Sequence, residues 1–263
     1  MEEIEHIVAT PLVRTHRTPL LLLHGAWHAA WCWDHWIRHL SSRGREVHAI
    51  SLPGHGGSSC AKGHINRYTL DDYVDTLASE VSKISPLPVV VGHSMGGGIL
   101  QKYLECHSLP GAVLLATAPA RGTLAMVGRM LVRHPVTVCR SLLTRDFYRW
   151  VATEALAREL FLGPSASPGE VRDFQRKLCS DSMSTTALLL PYARMNVVRT
   201  PVLVLAGERD RIFTVAEQRA TARKYGADLV VFAGQAHDLM LEPQWARVAD
   251  TVEDWITRRL DLP

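Results

Sequence analysis

No apolar run in this chain approaches the ~20 residues that a membrane-spanning helix needs, so no integral membrane association is expected. The N-terminus, Met1-Glu2-Glu3-Ile4-Glu5, is acidic and lacks a positive segment leading into an apolar stretch, which argues against a secretion signal. Cysteine is scarce. Cys32, Cys60, Cys106, Cys139 and Cys179 are odd in number, widely scattered and never spaced Cys-x-x-Cys. That pattern excludes a disulfide framework or a zinc site and fits reduced thiols in a cytoplasm. The 13 histidines include no His-Glu-x-x-His. No metal is expected, and most of these rings read as solvated or hydrogen-bonded. Charge of either sign is also muted. A net charge of +3, with no basic run carrying interleaved aromatics, gives no ground for a nucleic-acid partner.

What is present suits one large α/β domain with room for an inserted subdomain: 263 residues, 47% hydrophobic and 21% charged. Short apolar runs at Leu20-Leu23, Val47-Ile50, Val89-Val91, Ala112-Ala116, Val202-Ala206 and Leu229-Ala233 alternate with amphipathic segments. Strands apolar throughout, separated by helices, imply a parallel sheet covered on both faces. Two helix starts are marked by capping boxes, Thr69 with Asp72 and Thr214 with Glu217, and Gly226 suits a helix end. A last helix is expected from about Gln244, with Pro243 in its first turn. The stretch 119–199 breaks the alternation. It has helical patterns around Phe147-Trp150 and Leu156-Phe161, interrupted at Pro135, Gly163-Pro164 and Pro168-Gly169, and no convincing strand. It reads as a helical insertion (119–199) in a core built from 1–118 and 200–263. Its 12 basic against 6 acidic residues give it a net +6. Such a surface can attract anions, although a solvated exterior with arginine stems laid over apolar surface is the preferred reading.

The chemistry centres on Gly92-His93-Ser94-Met95-Gly96, which stands between an apolar β-prone run and a helical pattern. A strand that enters a very tight turn and a helix that leaves it lift the apical serine hydroxyl clear of the sheet. Serine needs a general base, and the base needs a third group to fix its tautomer. In a parallel sheet these groups come from loops at the carboxyl ends of strands. Two such loops qualify: Gly207-Glu208-Arg209-Asp210 and Gly234-Gln235-Ala236-His237-Asp238. Asp210 fits better than its rival Glu208, which follows the strand-ending glycine directly. Ser94, Asp210 and His237 are therefore the expected catalytic residues. Asp238 is given no catalytic role, His93 is expected to point away from the apex, and His55 reads as structural. For the oxyanion, the first donor expected is the N–H of Met95. The second comes from His24-Gly25-Ala26-Trp27, with Ala26 preferred over Trp27; His24 reads as a brace for that loop. Trp27 either lines the substrate site or packs beneath the insertion, and both readings stay open.

With these pieces assembled, the chain resembles the α/β-hydrolase superfamily over nearly its whole length. The motifs that carry the resemblance are His24-Gly25, Leu52-Pro53-Gly54-His55-Gly56, Gly92-His93-Ser94-Met95-Gly96-Gly97, Gly207-Glu208-Arg209-Asp210 and His237. The resemblance implies a mostly parallel eight-stranded sheet with helices on both faces and a helical cap inserted after the sixth strand. The stretch from His24 to Trp33 is similar to that of plant methyl esterases and hydroxynitrile lyases. The lyases place a lysine directly after the triad histidine, to steady cyanide. Asp238 stands there in this chain and would oppose an anion, so lyase activity is not expected and ester hydrolysis remains. Relatives that hydrolyse epoxides or haloalkanes use aspartate as nucleophile, against which Ser94 argues. The expectation is a cytoplasmic serine carboxylesterase, monomer or homodimer, acting on small-molecule esters of small to medium apolar groups without metal or organic cofactor. A thioesterase or carbon–carbon hydrolase with the same triad, and a ligand sensor that retains it, are the alternatives.

Overall fold

Leu20–Leu23 forms a strand, β2, in which all four leucines are buried. Successive side chains of a strand point to opposite faces. Accordingly Leu21 and Leu23 join one apolar cluster, and Leu20 and Leu22 join a second on the other side of the sheet. The run Val89-Val91 in a neighbouring strand behaves alike, with Val90 in the first cluster and Val89 and Val91 in the second, which is why both of its faces are apolar. The structure, a computed structural model, describes residues 2–182 and 200–261.

Seven strands build the sheet: β1 (His6–Ala9), β2, β3 (Val47–Ile50), β4 (Val89–His93), β5 (Ala112–Leu115), β6 (Val202–Gly207) and β7 (Asp228–Phe232). Their order is β1-β3-β2-β4-β5-β6-β7. All neighbouring pairs are parallel except β1, which runs antiparallel to β3 at the edge. Helices α1 (Asp34–Ser42) and α9 (Trp245–Ile256) supply Trp36, Leu40, Val248 and Val252 to one face. Helices α2 (Leu70–Ser82), α3 (Met95–Tyr103) and α8 (Val215–Tyr225) supply Leu77, Ile99, Leu100 and Ala222 to the other. Both expected capping boxes form in full, and Gly226 ends α8 at a φ of 57°.

Two expectations need correction. Seven strands, not eight, form the sheet among the described residues, so the helical segment follows the fifth strand rather than the sixth. Residues 10–19 connect β1 to β2 without a strand between them. Pro11 and Pro19 lack the N–H a ladder requires. Pro135 and Pro168, read as interruptions, instead open helices α5 (Pro135–Thr144) and α7 (Pro168–Lys177). At the first helical position the missing N–H would have had no partner anyway, and the fixed φ suits the helix. Between β5 and β6 these two join α4 (Leu124–Arg133), α6 (Glu154–Phe161) and a 3-10 turn at Phe147–Trp150. Residues 183–199, including Leu189 of the expected insertion, lie outside the described residues.

The strand order reverses direction between β2 and β4. Loops leaving the carboxyl ends of two such strands diverge, and the crevice between them is where open parallel sheets bind ligands. The loop after β2 begins at His24, and the turn after β4 is Ser94.

Candidate active site

Ser94 stands between β4 and α3 with φ 52° and ψ −115°. That region is strained for a residue with a side chain, and it persists only where the surroundings enforce it. They do so here. Ser94 N–H donates to Leu115 O (3.0 Å), and Ser94 O accepts from Ala118 N–H (2.9 Å) and Gly98 N–H (3.2 Å). The turn is so tight that a Cβ on Gly92 would lie 2.6 Å from Gly96 O. Met95 and Gly96 occupy the first turn of α3, where N–H groups have no intrahelical acceptor.

His237 and Asp210, 27 residues apart, meet under the same rim. His237 Nδ1 lies 2.7 Å from Asp210 Oδ2, and both side chains are buried. The other carboxylate oxygen, Oδ1, accepts from Ile212 N–H (2.7 Å) and Phe213 N–H (2.9 Å). Asp210 is thus pinned by backbone donors, and it fixes the ring so that Nε2 faces away from it. Glu208, the rival acid, is exposed and accepts from Gly234 N–H (2.9 Å) instead. Burial pushes the His237 pKa down, but the charge and hydrogen bond of Asp210, with the nearby Asp238 carboxylate, more than offset this and raise it above the usual imidazole value. His237 Nε2 is buried and takes no partner among the described residues. Of the two expected contacts, His237–Asp210 is made and a Ser94–His237 hydrogen bond is not. His93 packs against His237 with ring centroids 4.8 Å apart, and burial holds it well below the usual imidazole range.

The loop after β2 meets the elbow from the other side. A Cβ on Gly25 would come within 2.8 Å of Ser94 Cβ, so only glycine lets the two loops approach this closely. His24, 0% exposed, bridges Gly25 O (2.7 Å) and Leu52 N–H (2.9 Å). Burial, reinforced by the positive potential of His55, lowers its pKa and keeps it neutral, which suits a ring that accepts one hydrogen bond and donates the other. Among the described residues the N–H groups of Ala26 and Met95 donate to no protein acceptor, whereas Trp27 N–H is taken by Asp181 Oδ2 (2.8 Å).

Ala26, Trp27, Ser94 and Met95 line one end of an apolar chamber. Its other walls come from Met126, Met130, Val138, Leu142, Phe147, Trp150 and Leu160 of the helical segment and from Ile212 and Phe213 beside Asp210. Among the described residues no charged side chain lines it. Trp27 lines this chamber and packs on Phe147 (ring centroids 4.6 Å apart) and Phe161 (5.8 Å) of the helical segment.

Known proteins share this architecture. The sequence model described as "Alpha/beta hydrolase family" matches residues 20–251. The chain belongs to this family. Within it, a monoacylglycerol lipase from Mycolicibacterium smegmatis is 26% identical over 254 residues, covering 93% of this chain and 89% of the relative. Methylesterase 18 of Arabidopsis thaliana is 25% identical over 201 residues, 73% of this chain and 74% of its own. The crystal structure of an esterase from Rhodococcus superposes with a TM-score of 0.71 at 20% identity, covering 97% of this chain and 95% of that one, which shows a shared fold.

Sequence reasoning missed three residues beside this site. Asp181 reaches the Trp27 amide from the helical segment. His28 lies 3.0 Å from Asp238, which had been given no part. Each contact spans more than 150 residues, a separation at which no local pattern signals a pair.

Proposed function

We propose that this protein is a serine esterase hydrolysing carboxylic esters with apolar acyl groups of small to medium size. Ser94 Oγ attacks the ester carbonyl. As the new C–O bond forms, the carbonyl π pair moves onto oxygen, where the N–H groups of Ala26 and Met95 stabilise it. His237 Nε2 takes the hydroxyl proton, and Asp210 stabilises the imidazolium that results. Collapse of the tetrahedral adduct breaks the bond to the alcohol oxygen, which leaves with that proton. Water, deprotonated by His237, then cleaves the acyl-enzyme by the same steps. No step calls for a metal or organic cofactor.

The observation that carries this reading is the buried His237–Asp210 pair, whose outer nitrogen is unpartnered, together with a serine at positive φ facing an uncharged chamber. Nucleophile–base contacts are often loose until substrate is seated, so the open Ser94–His237 contact is compatible with it. The relatives support ester chemistry, since the names monoacylglycerol lipase and methylesterase both denote it. Chamber walls from α4 and α5 support residues 119–199 as a lid over a core of 1–118 and 200–263, with Trp27 as a substrate contact. In this reading the enzyme is a monomer or homodimer working in a reducing cytoplasm; its five cysteines are free. The test is labelling by a fluorophosphonate followed by peptide mapping. Label is expected on Ser94, and Ser94→Ala is expected to lower kcat by about 10⁴-fold or more. Label elsewhere, or undiminished turnover by Ser94→Ala, overturns the reading.

A further inference from the structure

Two buried histidine–aspartate pairs outside the expected triad converge on the loop after β2. In the first, Asp238 Oδ2 lies 3.0 Å from His28 Nε2, and His28 Nδ1 lies 2.7 Å from Ala26 O. A carbonyl only accepts, so His28 Nδ1 carries a proton and donates it. The Asp238–His28 contact then holds one further proton between carboxylate and ring, whichever atom bears it. In the second pair, Asp181 Oδ2 accepts Trp27 N–H (2.8 Å) and sits 3.2 Å from His55 Nε2. The peptide unit between Ala26 and Trp27 is therefore gripped at both ends, its carbonyl by His28 and its N–H by Asp181. Cys179 N–H adds a third hold by donating to Trp27 O (2.9 Å).

All four side chains are at most 1% exposed, so water does not substitute for these contacts in the folded protein. The grip has something to resist. Trp27 adopts φ 63°, a region that residues other than glycine rarely occupy, and next to it the Ala26 N–H donates to no protein group among the described residues. A donor aimed at a developing oxyanion is effective only if it is already in place and does not reorganise during the reaction.

We propose that Asp238 and Asp181, each paired with a buried histidine, are positioning residues that hold the Ala26 amide where the oxyanion forms. This rests on the serine-esterase reading above. The two carboxylates come from different parts of the chain, Asp238 from the loop that carries His237 and Asp181 from the end of the helical segment. Oxyanion geometry thereby depends on the docking of that segment as well as on the sheet.

The test uses the full-length protein, Asp181→Ala, Asp181→Asn and Asp238→Ala. Each is assayed for kcat and KM on an activated butyrate ester and for inhibition by a matching trifluoromethyl ketone. Addition of Ser94 Oγ to that ketone puts a full oxyanion at the donors without a leaving group. Asp181→Ala and Asp238→Ala are expected to lower kcat by about 10–100-fold with KM within threefold, and to weaken the ketone by the same factor. Asp181→Asn keeps an acceptor for Trp27 N–H and is expected to recover most of the rate. Folded variants with wild-type kcat, or with lowered kcat and undiminished ketone affinity, overturn the proposal. Should Asp238→Ala not fold, Asp181→Ala decides, since residue 181 lies outside the sheet. Wild-type protein that labels at a residue other than Ser94 defeats the underlying reading, and the proposal with it. Normal labelling with unaffected variants defeats the proposal alone.

Discussion

Every residue of β2 through β6 is buried, whereas α4 and α5 between them bury only Met130, Val138 and Ser141 and leave Leu124, Leu131, Val132, Val136 and Leu143 exposed. The sheet is packed from both faces, so each of its atoms has neighbours that a substitution must displace. The two inserted helices meet the rest of the protein along one narrow stripe. Ser94, Asp210 and His237 sit on the tightly packed part, where their placement is enforced. The outer faces of α4 and α5 lie outside that packing, and side chains there can change at little cost to folding.

The largest difference is expected between two glycines. On Gly96 a Cβ would collide with the backbone oxygens of Leu23 and His24, and neither can move without shifting the loop after β2. Gly96→Ala is expected to destabilise by about 1–3 kcal/mol in urea unfolding and to lower kcat by about 10²-fold. Wild-type values in both measurements would erase the contrast. Gly128 of α4, which has nothing within 4 Å of a Cβ, should behave in the opposite sense, with Gly128→Ala stabilising by about 0.5–1 kcal/mol.

Next in size is the pH response of the packed part. In the proposed mechanism the rate requires neutral His237, so activity should fall about tenfold per unit as pH drops below its raised pKa. Stability moves the other way. A group whose folded pKa exceeds its unfolded value of about 6.5 contributes fully below that value and loses the contribution as pH rises through the folded one. In the window just above 6.5 a pH–rate profile should therefore climb while the unfolding free energy, followed at the same pH values, declines. A parallel rise of both would contradict the His237–Asp210 assignment.

Smaller effects belong to the chamber wall. Val138→Phe, which fills space between α5 and the serine, is expected to lower kcat/KM for an octanoyl ester about tenfold relative to an acetyl ester. Equal losses for both chain lengths would mean that the acyl group lies elsewhere. At the bottom of the scale, Leu143→Ser on the outer face of α5 should change stability by no more than about 0.5 kcal/mol.

Where a feature depended on residues close in the chain, its pattern was readable before any fold was known. The elbow at Ser94, the capping boxes at Thr69 and Thr214 and the helical character of the stretch after β5 are of this kind. The seven-strand count was not readable, because β1 is a four-residue edge strand of mixed burial and the proline-flanked stretch after it resembles neither strand nor helix. Nor were the starts at Pro135 and Pro168, since a proline that breaks a helix and one that opens it look alike without the residues around it in space.

The sequence by itself determined the parallel sheet and the tight turn at Ser94, because local periodicity and tight-turn chemistry act over a few residues. Only the tertiary structure decided that Asp210 and His237 meet, that Asp238 and Asp181 turn inward to histidines 210 and 126 residues away, and that the chamber carries no charge among the described residues. Those outcomes follow from burial, which leaves a polar group a partner from the remote segments packed against it and denies it water.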